Sequence, residues 1–520
     1  MSQDLKEKIE IHHTSDKVLE IEDTTLTSLD GHSLSNDSAY VQDLQWTDEE
    51  EKKIVAKLDR RLMSYVLLMT FVLNMDRTNI SNAISDNLPA DLGFTIDGIN
   101  TATLIYAIVF TLFTIPTNVI VKRVGAHFWI PFIMSAWGIV TWSHIFIKDF
   151  TGYLIVRLFI AATEAGFIPA CLTYLTGFYK TNELATRLAW YWGIQSFASA
   201  FSGLLSFAIF RLAGVAGLEG WKWLFLIDGI LTNIVGAISF FYLPASLTKT
   251  DRLMFGKKSW FNERETQIAV TRIIRDDLTK NDQYKHVTWE DFRISVLDTK
   301  LWVHLIIAFL TLMPITPIGT YLPTIIKQTG FSVYIANLLA APTYIVGLFF
   351  SILIARGADK YGNTSLWAQA AIVWGLIGAL LLEFLPDNTN KWVMYFAAFV
   401  IASTPSSHGM HIAWMSSNLA PIGKRTLALG WVIGAANICA VPGSQIYTAS
   451  DSPRFHRGNW ILIGITLANG FFFLLQRYRY MLTNKYRQKK WDSMTEDEQR
   501  VYNETTKHKG SNRLDYRFHL

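Results

Sequence analysis

The stretch Tyr153–Phe178, YLIVRLFIAATEAGFIPACLTYLTGF, is long and apolar enough to cross a bilayer, which takes about 20 residues. It nonetheless carries Arg157 and Glu164. Their spacing is nearly two helical turns, which puts both side chains on one face, roughly 10 Å apart along the axis. A charge at bilayer depth costs at least about 2.5–3.5 kcal/mol, so such residues face a polar cavity or a partner. Gly166 and Pro169 follow, where a membrane helix can bend because its neighbours re-satisfy the backbone. An acid and a base kept inside an apolar span point to a path for charge; the competing reading is a mutual structural ion pair.

The whole chain agrees with a membrane setting. Of 520 residues, 50% are hydrophobic, 14% aromatic and only 17% charged, and the mean hydropathy is +0.22. A soluble domain carries about 25% charged residues. The net charge of +4 is small, and the Lys/Arg clusters sit beside apolar spans, so no nucleic-acid surface is expected. Cys171 and Cys439 both lie inside apolar spans and read as buried thiols, neither a disulfide framework nor a metal site. Residues 1–50 are polar, lack an apolar core run and read as a disordered tail.

Twelve apolar segments follow, at about 62–82, 101–121, 128–147, 153–176, 187–210, 222–243, 301–325, 334–355, 367–385, 393–416, 427–447 and 459–480. The expected fold is an all-α membrane protein with twelve transmembrane helices in two six-helix halves, residues 51–243 and 301–480. They are joined by a middle loop, 244–300, and followed by a tail, 481–520. Basic clusters fall on alternate loops: Lys52 to Arg61, Lys122–Arg123, eleven residues from Lys249 to Lys300, Arg356 and Lys360, Lys424–Arg425, and Arg477 to Arg487. Cytoplasmic loops carry such an excess, so both termini are expected in the cytoplasm. Arg454 and Arg457, in the last external loop, are exceptions. In the middle loop, Asn262 to Glu265 has capping-box chemistry ahead of an apolar stripe at Ile268, Ile273 and Ile274, which predicts an amphipathic helix.

Other polar groups share the apolar spans. Asp76 and Arg77 end the first segment, and the Arg77 fork can hold a carboxylate or sulfonate bidentately, or snorkel to the interface. Asp228 in the sixth segment reads as a further member of the charge network or as a structural partner for an arginine. Gln195, Ser199, Ser202 and Ser206 share one face of the fifth segment. They and the Gly430/Gly434 pair read first as close helix packing. His408 and His411 in the tenth segment can sense protons, bind substrate or pack. Pro314, Pro317, Pro405 and Pro442 interrupt apolar segments. No phosphate-binding loop, nucleophile elbow or HExxH occurs, which argues against an enzyme.

At these residues the chain resembles the fungal anion:cation symporters of the major facilitator superfamily, the allantoate-permease-like carriers. The matching stretches are Asp76-Arg77-x-Asn79-Ile80-Ser81-Asn82-Ala83, Pro116-Thr-Asn118, and Arg157 through Glu164-Ala-Gly166 to Pro169. Gly220-Trp-Lys-Trp-Leu-Phe225 with Asp228-Gly229, and Ser452-Pro-Arg-Phe455 with Gly458, match as well. Two departures stand out. Asp228 replaces the usual Glu, and the general facilitator motif keeps its acid only in the second half, as Asp359 beside Lys360 and Gly362. The tail from Lys485 to Phe518 is similar to that of a yeast permease subgroup associated with sulfonates and other sulfur-containing anions.

The resemblance implies a proton-coupled carrier that moves a small organic anion across a lipid bilayer, as a monomer, without a cofactor. Arg77, Arg157, Asn79 and His411 are then expected to bind substrate. Glu164 and Asp228 are expected to carry the proton, and Asp359, Lys360 and Gly362 to gate. The substrate leans to a sulfonate or other sulfur-containing anion. The alternatives are allantoate or another ureido acid, and the carboxylate vitamins nicotinate, pantothenate and biotin. A plasma-membrane location is expected, with an internal membrane such as the endoplasmic reticulum as alternative. A non-transporting nutrient sensor is the rival from another class, and a membrane enzyme using His408 or His411 the remote one.

Overall fold

The computed structural model describes residues 39–41, 43–251, 259–281, 289–386, 388–419, 422–506, 511 and 513–520. Most of the N-terminal tail therefore lies outside the described residues. Within them there is no strand, and all twelve expected segments are helical. The first runs from Asp48–Leu58 through a π-helical turn, Asp59–Met63, into Ser64–Ser85. It starts before the expected residue 62 because residues 48–61 are mostly charged and carry no hydropathy signal. Thr47 and Glu50 cap that start reciprocally, each side chain accepting the other's backbone N–H.

The other unbroken segments are Ile96–Val124, Ala126–Trp142, Thr181–Ile209, Gly220–Tyr242, Val333–Tyr361, Thr364–Phe384 and His456–Asp492. Four are broken. The fourth is Phe150–Glu164 and Phe167–Thr176; the seventh, Thr299–Leu312 and Ile315–Gln328; the tenth, Lys391–Ala402 and His408–Ser417; the eleventh, Ile422–Ile438 and Ala440–Gly443. The breaks follow chemistry visible in the chain. Gly166 interrupts the fourth segment, Pro314 the seventh, and Thr404-Pro405 the tenth. At Gly166 an added Cβ would lie 2.6 Å from Thr117 Cβ, so the glycine lets the second and fourth segments touch at the break. Ser351 Oγ accepts the freed Ser406 N–H at 2.8 Å, satisfying one backbone group of the tenth-segment break.

Among the described residues, the hydrogen bonds across the two sets of six cluster at one end. There Lys327 Nζ donates to Ser85 O (2.7 Å) and Asn87 Oδ1 (2.9 Å), and Asn337 Nδ2 to Ser85 Oγ (2.8 Å). Tyr321 OH donates to Asn100 Oδ1 (2.5 Å), whose Nδ2 donates to Tyr447 O (2.7 Å). The fifth and eighth segments cross so closely that a Cβ on Gly203 would lie 2.7 Å from Asn337 O. One apolar core at this end takes Ile84, Trp221 and Phe225 from the first set and Tyr321, Leu322 and Tyr447 from the second. At the other end each set keeps a core of its own: Leu62, Met69, Trp137 and Phe167 on one side, Trp414, Phe473 and Tyr480 on the other. The protein is therefore sealed where the sets share a core.

The end without a shared core carries a cluster of ion pairs. The middle-loop helix, Glu263–Asn281, has the expected cap: Asn262 Oδ1 accepts Glu265 N at 2.8 Å, and Glu265 Oε2 accepts Asn262 N at 3.0 Å. Ile268, Ile273 and Ile274 are buried against the first set. Around them Lys57 pairs with Glu265 (2.5 Å), Arg264 with Glu50 (2.8 Å), Arg187 with Asp59 (2.6 Å) and Arg272 with Glu183 (2.7 Å); Lys180 pairs with Glu51. Arg264 holds the Glu50 carboxyl down at about 2. Burial opposes ionisation of Glu265, but Lys57 outweighs it and keeps that carboxyl below its usual range. Residues 513–520 dock at this end under the tenth and twelfth segments: Asn484 exchanges two hydrogen bonds with the Phe518 backbone, and Asn418 two with His519.

Candidate functional site

The first, second and fourth segments bring the charged groups together midway along the bundle. Glu164, the last residue before the fourth-segment break, is 1% exposed. Arg77 Nε donates to Glu164 Oε2 at 3.0 Å, and Tyr106 OH donates to the same oxygen at 2.6 Å. Arg157 does not pair with Glu164, which corrects the mutual ion-pair reading. Its guanidinium lies over the Tyr106 ring, 4.6 Å from the centroid, and its Nε has no hydrogen-bond partner. Arg77 is likewise incompletely used: its carbon lies 5.3 Å from the Phe110 centroid, its NH2 has no partner, and its side chain is 33% exposed. Two guanidinium groups with spare N–H donors thus flank one buried carboxylate and one phenol. A planar anion can take those donors bidentately.

A second layer lies deeper. Asn79 is buried, with Nδ2 donating to Asp228 Oδ2 (2.8 Å) and Oδ1 accepting from Ser202 Oγ (2.7 Å). Both ends of its amide are occupied, so Asn79 ties together the first, fifth and sixth segments. Asp76 is buried and accepts from Thr141 Oγ1 at 2.9 Å, while Asp228 Oδ1 has no hydrogen-bond partner. Ser199 and Ser202 bond to Thr78, Asn79 and Asn82 of the first segment, so that face of the fifth segment serves packing. Gly430 and Gly434 do not: both are exposed, and no described atom lies within 4 Å of a Cβ at either.

The remaining expected residues lie elsewhere. His411 is fully buried in the tenth segment, with Nε2 3.0 Å from His304 Nδ1, and stands apart from the arginines. Lys360 is exposed, its Nζ 5.3 Å from the Tyr361 centroid; Gly362 has φ +67° and starts the turn between the eighth and ninth segments. The Asp359 side chain lies outside the described residues. Arg454, an exception to the basic pattern, donates to Leu385 O and Met394 Sδ (3.2 Å), so it binds helix ends together. Tyr106, Phe110, Thr141, His304 and Tyr480 were not singled out by sequence. An aromatic or hydroxyl residue in an apolar helix carries no signal until its neighbours are known.

Residues 66–458 match the family model of the Major Facilitator Superfamily, and the chain belongs to that family. It is a multi-pass membrane transporter, not an enzyme. Among its relatives is "Uncharacterized transporter YIL166C" of Saccharomyces cerevisiae, 32% identical over 484 residues, covering 92% of this chain and 89% of that one. "Major facilitator-type transporter hxnP" of Emericella nidulans is 29% identical over 423 residues, covering 78% and 81%. In fold the chain is similar to a bacterial homolog of the human lysosomal transporter Spinster (TM-score 0.58, 14% identity, 81% of this chain and 96% of that one). It is also similar to a D-xylose–proton symporter (TM-score 0.56, 14% identity, 79% and 96%).

Proposed function

We propose that this protein takes up a small organic anion together with protons across the plasma membrane, with both termini cytoplasmic. The observation that carries the reading is the shared carboxylate: Arg77 and Tyr106 both bond to Glu164 Oε2, while Arg77 NH2 and Arg157 Nε stay unpartnered. An anion that engages Arg77 competes with Glu164 for its charge, so Glu164 is stabilised less as an ion and takes up a proton. By linkage, proton and anion then favour each other's binding. In this reading Asp228 carries a proton and passes the state of the site to the first segment through Asn79, while His411 completes the tenth-segment wall.

The ion-paired end then faces the cytoplasm, and the shared core seals the outside. The halves rock about the site to expose it in turn. The turn containing Asp359, Lys360 and Gly362 accompanies that motion at the cytoplasmic side. The lean is to a sulfonate or other sulfur-containing anion, carried by the likeness of the tail; two guanidinium groups also suit allantoate, nicotinate or pantothenate. The test is growth and labelled uptake in a fungal strain lacking its own anion permeases, with sulfonates, sulfate, allantoate, nicotinate and pantothenate at acidic and neutral pH. Acid-stimulated uptake of one class is expected. No uptake of any, with the protein at the cell surface, overturns the reading.

A further inference from the structure

Two acids of the first half lie in the middle of the bundle without a base of their own. Asp76 of the first segment is 4% exposed, and Asp228 of the sixth is fully buried. Among the described residues Glu164 is ion-paired, to Arg77, whereas neither Asp76 nor Asp228 has a basic side chain within ion-pair distance. Asp76 accepts from Thr141 and Asp228 from Asn79, but Asp228 Oδ1 is left over. A carboxylate inside a membrane ordinarily has a partner for its charge.

A further buried oxygen faces the same gap. Thr232, one turn beyond Asp228 on the sixth segment, is fully buried, and its Oγ1 makes no hydrogen bond. A helical threonine commonly donates to the carbonyl four residues back, as Thr70 and Thr78 do at 2.8 Å. Thr232 forgoes that bond. Two rungs fix its level: Asn79 Nδ2 meets Asp228 Oδ2 at 2.8 Å, and Tyr65 OH meets Val235 O and Ser239 Oγ at 3.0 Å. The first and sixth segments are therefore antiparallel, and Thr232 lies between the rungs on the face that meets the first segment. Asp76, about 4.5 Å along its helix from Asn79, falls level between Asp228 and Thr232, which are about 6 Å apart along theirs. Thr141 reaches in from the third segment. That segment is pressed so closely on the sixth that a Cβ on Gly229 would lie 2.5 Å from Trp142 N.

We propose that Asp76, Asp228, Thr141 and Thr232 bind one monovalent metal cation, sodium or potassium, between the first, third and sixth segments. The donors are all oxygens, which is what hard cations take. The Thr141 hydroxyl gives its proton to Asp76 and keeps lone pairs for the ion. Charge sets the valence. Asp76, Glu164 and Asp228 stand against Arg77 and Arg157, which leaves one negative charge unbalanced when all are ionised. One monovalent ion closes that balance, and a divalent ion overshoots it. Arg157 and Glu164, on the fourth segment, lie within electrostatic reach of Asp76, and Glu164 of Asp228. From the third segment His144 gives its Nδ1 proton to Thr141 O at 2.7 Å, and the fifth presents Ser199 and Ser202 to the first. A proton on Asp228 and a cation in this gap exclude one another, so the ion binds at alkaline pH and leaves in acid. Its way in runs beside Arg77, whose side chain is 33% exposed. The inference goes beyond the uptake reading and does not depend on which anion is carried.

The experiment uses the purified full chain with no organic anion added. Binding of radioactive sodium is measured at pH 8 and pH 5, beside Tm in sodium, potassium and choline chloride at equal ionic strength. Wild type is expected to bind a cation saturably at pH 8, more weakly at pH 5, and to melt higher with it than in choline chloride. A shift in potassium alone assigns the site to potassium, and a shift in sodium assigns it to sodium. Equal melting in all three salts at pH 8, without saturable sodium binding, overturns the site. Affinity as high at pH 5 as at pH 8 overturns its assignment to the carboxylates. Asp228→Asn keeps an oxygen for Asn79 and is expected to lose the ion; retained binding overturns the proposal. Thr232→Val keeps the side-chain shape and removes an unpartnered buried hydroxyl, which by itself leaves Tm unchanged or higher in every salt. As a ligand change it also lowers cation affinity at least about 10-fold, so any advantage seen in choline chloride disappears with the bound cation. An advantage equal in all three salts overturns the role of Thr232. No transport is measured, so failure of the uptake reading leaves this result standing, and the reverse.

Discussion

Glu164→Gln keeps an oxygen acceptor for Arg77 and Tyr106 but removes the charge that competes with an incoming anion. Arg77 Nε and Tyr106 OH lie 3.0 and 2.6 Å from the same carboxylate oxygen, so an anion on the free edge of Arg77 sits across the guanidinium from Glu164. At about 6 Å and an effective dielectric of about 20, the repulsion between two unit charges is about 3 kcal/mol, or roughly 100-fold in Kd. Arg77 is 33% exposed, which weakens the effect to between about 10-fold and 100-fold. The assay is equilibrium binding of the transported anion to purified protein at pH 5 and pH 8. Wild type is expected to bind more tightly in acid, whereas Glu164→Gln binds tightly at both. Uphill uptake disappears in the variant while exchange persists. A variant that keeps the wild-type pH dependence of Kd, or accumulates anion in response to a proton gradient, refutes the competition.

Asn79→Ala leaves Asp228 Oδ2 without its donor and the Ser202 hydroxyl without its acceptor and is expected to destabilise by about 1–3 kcal/mol, read as a lower Tm in detergent. Gly203→Leu cannot keep the contact with Asn337 O, where a Cβ alone would lie at 2.7 Å; it should open the sealed end, and a thiol reagent added from that side should label a cysteine placed at Asn337 faster. The Glu50 and Glu265 carboxyls are held below their usual value of 4.5, so their contribution to docking the Glu263–Asn281 helix is complete above that pH and fades as pH falls toward about 2. Protease cleavage within that helix should accelerate over this window, and Arg264→Ala should remove part of the dependence.

The twelve helices and the amphipathic middle helix were legible because hydropathy and capping are local properties. So were the breaks, since Gly166, Pro314 and Pro405 announce themselves. Which charges meet was not legible. Arg157 and Glu164 share a helix face by spacing, yet Glu164 bonds to Arg77, 87 residues away, because the first segment crosses at its level. Tyr106 looked like any aromatic in an apolar span, and only the crossing of the second and fourth segments gives its hydroxyl a carboxylate. The same holds for His304: its imidazole becomes informative only beside His411, 107 residues on.

The docked tail has its own consequence for how tolerant the sequence is there. Asn484 and Asn418 each read a backbone N–H and C=O, those of Phe518 and His519, with bonds of 2.7–3.0 Å. Such a clamp is indifferent to side-chain identity at His519, whose side chain is exposed, and selective at Phe518, which fills the space over Tyr480. His519→Ala should therefore be silent, while His519→Pro, which deletes the N–H given to Asn418, should release the strand as thoroughly as Phe518→Ala. Two asparagines act here like one rung of a β-ladder borrowed from helices, a way of fastening peptide that demands extended shape rather than a spelled-out motif.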